Sequence, residues 1–203
     1  MYDVVALGEL LIDFTTQATD PDGYPTMTAH PGGAPANFLA AIAKFGGKAA
    51  LLGKVGTDTF GKLLTDTLRK AGIETKGLVA SDEVFTTLAF VTLDENGDRE
   101  FAFARKPGAD TQLRFDELNL SIIDEARVFH FGTLSLTDEP ARSTTYRTVK
   151  YAKAHDKLIT FDPNLRKPLW RDLGDAKEQM LWGLDHADVV KISDEEVEFL
   201  FGL

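Results

Sequence analysis

Residues 31–56 read PGGAPANFLAAIAKFGGKAALLGKVG, and this stretch decides the fold. Pro35 is tolerated in the first turn of a helix, Ala36 to Phe45 has helical composition, and Gly46-Gly47 stops it. The run AALLGKVG at 49–56 then lacks any polar alternation, the pattern of a strand buried on both faces. A buried strand joined to a helix is a piece of a βαβ unit, the unit from which parallel sheets are built.

Reading outward, DVVAL at 3–7 is another short apolar run, and it ends in Gly8-Glu9, as a buried strand feeding a functional loop does. Residues 15–31 hold Pro21, Gly23, Pro25 and Pro31 and read as a loop or short edge strands. Asp58 is placed to cap a helix in which Phe60, Leu63, Leu64, Leu68 and Ala71 share one face and Gly72 is the stop. The segment 73–106 differs. Phe85 to Leu93 and Arg99 to Phe103 are β-branched or aromatic, and the Asn96-Gly97 between them is a hairpin signal. Strand candidates 128–131, 158–162 and 188–192 then alternate with helix candidates 139–154 and 175–185, and a last helix starts at Ser193. The expected architecture is α/β, a central mostly parallel sheet wrapped by helices, with a small β-rich appendage.

Composition narrows the function. The chain has 203 residues, 43% of them hydrophobic, and 32 acidic against 22 basic side chains leave a formal charge of −10. Such a surface repels phosphodiester backbones and anionic lipid, so neither a nucleic-acid nor a membrane partner is expected. With no Cys there is no disulfide, thiolate metal site or Cys nucleophile. The first eleven residues carry no basic region ahead of their apolar run, and a cytoplasmic location is expected. The four His, at 30, 130, 155 and 186, lack metal-ligand spacing and read as core or surface residues.

Two places could carry chemistry. Gly32 and Gly33 let backbone approach a ligand with no Cβ between, the following helix offers free amides, and Asn37 can both donate to and accept from a hydroxyl. A capping turn alone accounts for the glycines equally well. Asp13, past the first strand, could accept two hydroxyl hydrogen bonds from a polyol, although a solvated loop acid is the commoner fate. Neither a GxxxxGK[ST] loop nor a GxGxxG fingerprint is present.

GELLIDF at 8–14, PGGAPAN at 31–37, LLGKVGTDTFGKLL at 51–64 and KAGIET at 70–75 resemble the ribokinase-like (PfkB) family of sugar kinases. REFAFARKPGAD at 99–110, FHFGTLSL at 129–136, FDPNLRKPLW at 161–170 and KISDEEVEFL at 191–200 extend the resemblance over essentially the whole chain. Bacterial fructokinases are the nearest pattern, ketodeoxygluconate kinases the next. The resemblance implies a single ribokinase-like domain across 1–203 whose β-lid comes from segments near 15–31 and 85–106, with a homodimer through the lid as one option. It implies transfer of the γ-phosphoryl group of ATP to a hydroxyl of a monosaccharide, fructose first, with Mg²⁺ and room for a monovalent cation. Asp13, Gly32, Gly33, Asn37, Arg105 and Asn164 would bind the sugar, and Arg166 would stabilise charge in the transition state. Lys191 and Ser193 would meet the nucleotide, and Glu196 would order water around the metal, its alternative being a solvated helix acid. Phe90, Phe101 and Phe103 would pack between lid and body.

One family signature is missing. No Gly-Ala-Gly-Asp string, which would supply the anion hole and catalytic base, occurs in the 203 residues. The expectation is a polypeptide in which base and adenine pocket lie past Leu203 and which does not turn over alone. The alternatives are a non-catalytic sugar-binding relative, or a sugar-acid or nucleoside kinase on the same frame.

Overall fold

A computed structural model of the chain describes residues 1–93 and 99–203. In chain order the elements are β1 (Tyr2–Leu7), β2 (Leu11–Thr19), β3 (Pro25–Gly32), α1 (Ala34–Lys44), β4 (Ala49–Gly56), α2 (Thr59–Lys70), β5 (Leu78–Ser81), β6 (Leu88–Leu93) and β7 (Arg99–Ala104). There follow the one-turn α3 (Ser121–Asp124), β8 (Ala126–Gly132), α4 (Ala141–Ala154), β9 (Leu158–Asp162), α5 (Leu173–His186), β10 (Val189–Val190) and α6 (Asp194–Phe201).

Six strands, in the order β10-β9-β8-β1-β4-β5, form one sheet in which every neighbouring pair is parallel. Each strand faces two cores because side chains alternate. Val4, Ala6, Ala49 and Leu51 pack with Leu39 of α1 and Leu64 and Leu68 of α2. Val5, Leu7, Ala50 and Leu52 join Phe129, Phe131 and Phe161 and the α4 residues Val149 and Ala152 on the other side. That double burial is why the strands read as unbroken apolar runs. β1 lies between β4 and β8, so the chain winds one way through β4 and β5 and returns on the far side at β8. The reversal opens a crevice at the carboxyl ends of β1 and β8, where α/β sheets bind ligands.

The remaining strands form a second sheet, β3-β2-β6-β7, with β2 and β6 parallel and both outer pairs antiparallel. Polar groups fasten its base. Asp58 caps α2 through the amides of Phe60 and Gly61, while its other oxygen accepts from the amide and hydroxyl of Thr86, at the entry to β6. Burial would push this carboxyl up, but those hydrogen bonds outweigh it and hold it below its ordinary value.

Several expectations are corrected. Residues 15–31 are mostly strand, with a turn at 20–24: β3 is an edge strand of the second sheet, with Pro25 and Pro31 where an edge tolerates them, whereas β2 is one of its inner strands. Asp13 therefore stands within β2 instead of in a loop after β1. The strand expected at 188–192 shrinks to two residues, Leu63 of the supposed apolar face of α2 is exposed, and 78–81 adds a strand the sequence did not announce. β6 and β7 pair antiparallel as a hairpin would, but the proposed turn at 94–98 lies outside the described residues. Among the described residues no helix is long and apolar enough to cross a membrane.

Two ionisable groups are buried at the crevice, Glu9 at 3% and His130 at 8% exposure. Burial pushes Glu9 up to about 7, with Asp110 adding to the effect and the amides of Glu9 and Ala34 and the charge of Arg105 opposing it. Burial pushes His130 down to about 4. The folded chain holds the Glu9 proton more tightly than the unfolded one, so stability declines as pH rises from 4.5 towards 7. It holds the His130 proton less tightly, so stability is gained between pH 4 and 6.5. The two slopes oppose each other, each worth about 3 kcal/mol at most. In urea titrations across this range, Glu9→Gln should gain stability relative to wild type as pH rises, and His130→Asn should lose it. Parallel curves for all three proteins would refute the assignment.

Candidate functional site

The segment leaving β1 grips the segment entering α1 at three points. Oε1 of Glu9 accepts the Ala34 amide at 2.8 Å, so the first free amide of the helix is taken by the protein's own carboxyl group. A Cβ on Gly8 would lie 2.5 Å from Cγ of Pro35, and one on Gly33 would lie 2.4 Å from the Glu9 carbonyl oxygen. Gly33 also has φ +112°, which side chains rarely adopt. A Cβ on Gly32 would sit 2.1 Å from Oδ2 of Asp13. Contact thus requires glycine at both positions, and at Gly33 backbone conformation requires it as well.

Asp13 is half-buried in β2 between His30 of β3 and Ala89 of β6. Burial raises its pKa, and the charges of Arg166 and His30 pull it back. Arg166 follows β9, donates from Nη1 to the Leu165 carbonyl at 3.1 Å, and places Cζ 5.9 Å from the ring centre of Phe101 on β7. A carboxylate from the small sheet and a guanidinium from the large one therefore converge. Phe90 stacks on Phe14 at 5.4 Å, and Phe14 meets Phe60 of α2 edge-on at 5.6 Å, tying the two sheets together.

Beneath them, at the carboxyl ends of β1, β8 and β9, Glu9, His130, Thr133, Asp162 and Asn164 line a cavity of about 10 Å³, the space of roughly one water. Asn164, at φ +45°, donates its amide to Oδ1 of Asp162 at 3.2 Å. Burial raises the Asp162 pKa, and Lys191, with Nζ 3.3 Å away, draws it down.

Other expected residues have structural partners. Arg105 is 4% exposed and donates to Asp110, Thr137 and the Leu134 carbonyl, so these hydrogen bonds hold its guanidinium inside the protein. Asn37 is exposed on the first turn of α1. Glu196, 7% exposed, is not a solvated acid: Oε1 accepts the Leu165 amide at 2.8 Å and Oε2 the Ser193 amide at 2.9 Å. Ser193 returns a bond to the Glu196 amide, completing a capping box that ties α6 to the loop bearing Arg166. Each Glu196 oxygen thus accepts one backbone amide, and among the described residues no three candidate ligands cluster. Glu9 was passed over as a functional residue in the sequence, although Gly8-Glu9 directly after an apolar run was the signal for it.

The pfkB family carbohydrate kinase model matches residues 1–203. A probable fructokinase-3 from Arabidopsis thaliana is 46% identical over 199 residues, covering 97% of this chain and 58% of that protein. The ATP-bound crystal structure of fructokinase from Xylella fastidiosa superposes with TM-score 0.92 at 35% identity, over 100% of this chain and 61% of that one. A double mutant of the Vibrio cholerae O395 fructokinase, in its fructose-, ADP- and potassium-ion-bound form, superposes with TM-score 0.85 at 31% identity, over 99% and 63%. The chain spans about three fifths of the length of these relatives. The doubly wound sheet with its second small sheet and the match along all 203 residues place the chain in the pfkB family of carbohydrate kinases.

Proposed function

We propose that these residues form the sugar-binding and phosphate-facing part of an ATP-dependent kinase that phosphorylates a hydroxyl of fructose. The observation that carries this reading is the half-buried Asp13 carboxylate, seated against Gly32 and facing the charge of Arg166. An ionised carboxylate accepts two hydroxyls of a polyol in charge-assisted hydrogen bonds, and Asn37 on the neighbouring turn adds a group that both donates and accepts. Arg166 would place positive charge near the transferring phosphoryl group, whose loose transition state gains mainly from such charge. The small sheet carries Asp13 and Phe101 and would act as the lid over the sugar. ATP in one similar structure, and fructose, ADP and potassium in another, support the choice of substrates. Glu196, by holding the Leu165 and Ser193 amides, would position the loop that bears Arg166, and its remaining acceptor sites would be available to water around a nucleotide-bound magnesium ion.

In an active enzyme carrying this sequence, Asp13→Ala should lower kcat/KM for fructose by at least about 2 kcal/mol, the loss of charged hydrogen bonds. Gly32→Ala, which forces a Cβ onto Asp13 at a position without positive φ, should act in the same direction, at a cost in urea stability of no more than about 1–3 kcal/mol. Kinetics indifferent to both substitutions would remove Asp13 from the site.

A coupled ADP-release assay with ATP, magnesium and fructose tests the division of labour. No sugar-dependent release is expected from the 203 residues alone, and release is expected from a polypeptide extended to the length of the relatives. Turnover by the 203 residues would mean that the base lies among them, with Asp162 the first candidate.

A further inference from the structure

The contact that most directly sets the distance between Asp13 and the glycine pair belongs to a residue with no part in the chemistry above. Glu9 is almost wholly buried, yet it follows β1 directly and its side chain spans to the far segment at Ala34, twenty-five positions along the chain. Its backbone carbonyl abuts Gly33, and its neighbour Gly8 abuts Pro35. Placing a carboxyl group in the interior costs free energy, so the site must gain something for it. We propose that Glu9 is a positioning residue for sugar binding: by holding the Ala34 amide it fixes the Gly33-Ala34 turn, and so sets where Gly32 presses on the Asp13 carboxylate and how that carboxylate is presented to the sugar hydroxyls.

This inference rests on the sugar reading of Asp13. The hydrogen bond needs only an acceptor oxygen, which a carboxylate, a neutral carboxyl and a carboxamide all supply. The groups around Glu9 fit a role in geometry. Asp110 and Arg105 act on it with opposite charge effects, and neutral His130 shares its cavity without titrating near neutrality. The carboxyl also meets the partial positive charge at the amino end of α1, which favours an acceptor oxygen there, most of all an ionised one.

The test uses the 203-residue chain, with backbone amide exchange at Ala34 and NMR shift titration with fructose as independent readouts. Glu9→Leu removes the acceptor, and Glu9→Asp is one methylene too short to reach. In both, exchange at Ala34 should accelerate by about tenfold or more while amides of β8 and α4 stay protected. Both should also weaken fructose binding by about tenfold, whereas Glu9→Gln should restore protection and affinity to within about twofold of wild type. If Glu9→Leu fails to fold, Glu9→Asp decides. Unchanged Ala34 exchange in the acceptor-free variants, or accelerated exchange with unchanged fructose affinity, overturns the proposal, as does loss of binding that Glu9→Gln does not rescue. Absence of fructose binding by the wild type overturns the sugar reading itself, and Ala34 exchange then decides whether Glu9 holds the turn.

Discussion

The hydrogen bond from Ala34 to Glu9 joins the end of β1 to the start of α1, and much of the molecule hangs on it. β1 is the central strand of the large sheet, and the strand after it enters the second sheet. Both segments must therefore pass one point, and three glycines there leave no room for a single methyl group more. Close packing of this kind transmits small displacements instead of absorbing them. A shift of α1 would move Gly32 against Asp13, and a shift of β2 would move Asp13 away from Arg166.

The second sheet is held differently at its base and at its rim. At the base, polar groups bind it to the body: Asp58 with Thr86, and Asp110 with both Thr87 and Arg105. Buried charge pairs add little net stability, but breaking one is costly, so they define a geometry. Further out, β3 and the far end of β2 are exposed along most of their length. A strand pair tied at one end and free at the other is suited to closing over a ligand, which is the part the proposed function assigns to it.

Much of the fold was legible because its signals are local. AALLGKVG at 49–56 became a strand over those residues because a strand buried on both faces reads as an apolar run, and LITFD at 158–162 did so with only Ile159 and Phe161 buried. Asp58 was recognisable as a cap because capping depends on residues two and three positions away. The second sheet was only half legible. Pro25 and Pro31 pointed to a loop or an edge strand, and nothing nearby in the sequence reveals that β2 and β6 become parallel neighbours.

The candidate site divides along the same line. The sequence by itself determined the alternation of the main parallel strands with their helices, the need for glycine before α1, and the family whose motifs run the length of the chain. The tertiary structure alone decided which polar residues face the crevice. It enclosed Arg105 among Asp110, Thr137 and Leu134, made Glu196 a clamp on two amides, and brought Glu9 to Ala34. The physical reason is that a polar side chain is assigned by the partner that satisfies it once water is excluded, and those partners lie 3 to 32 residues away in the sequence, most of them 25 or more.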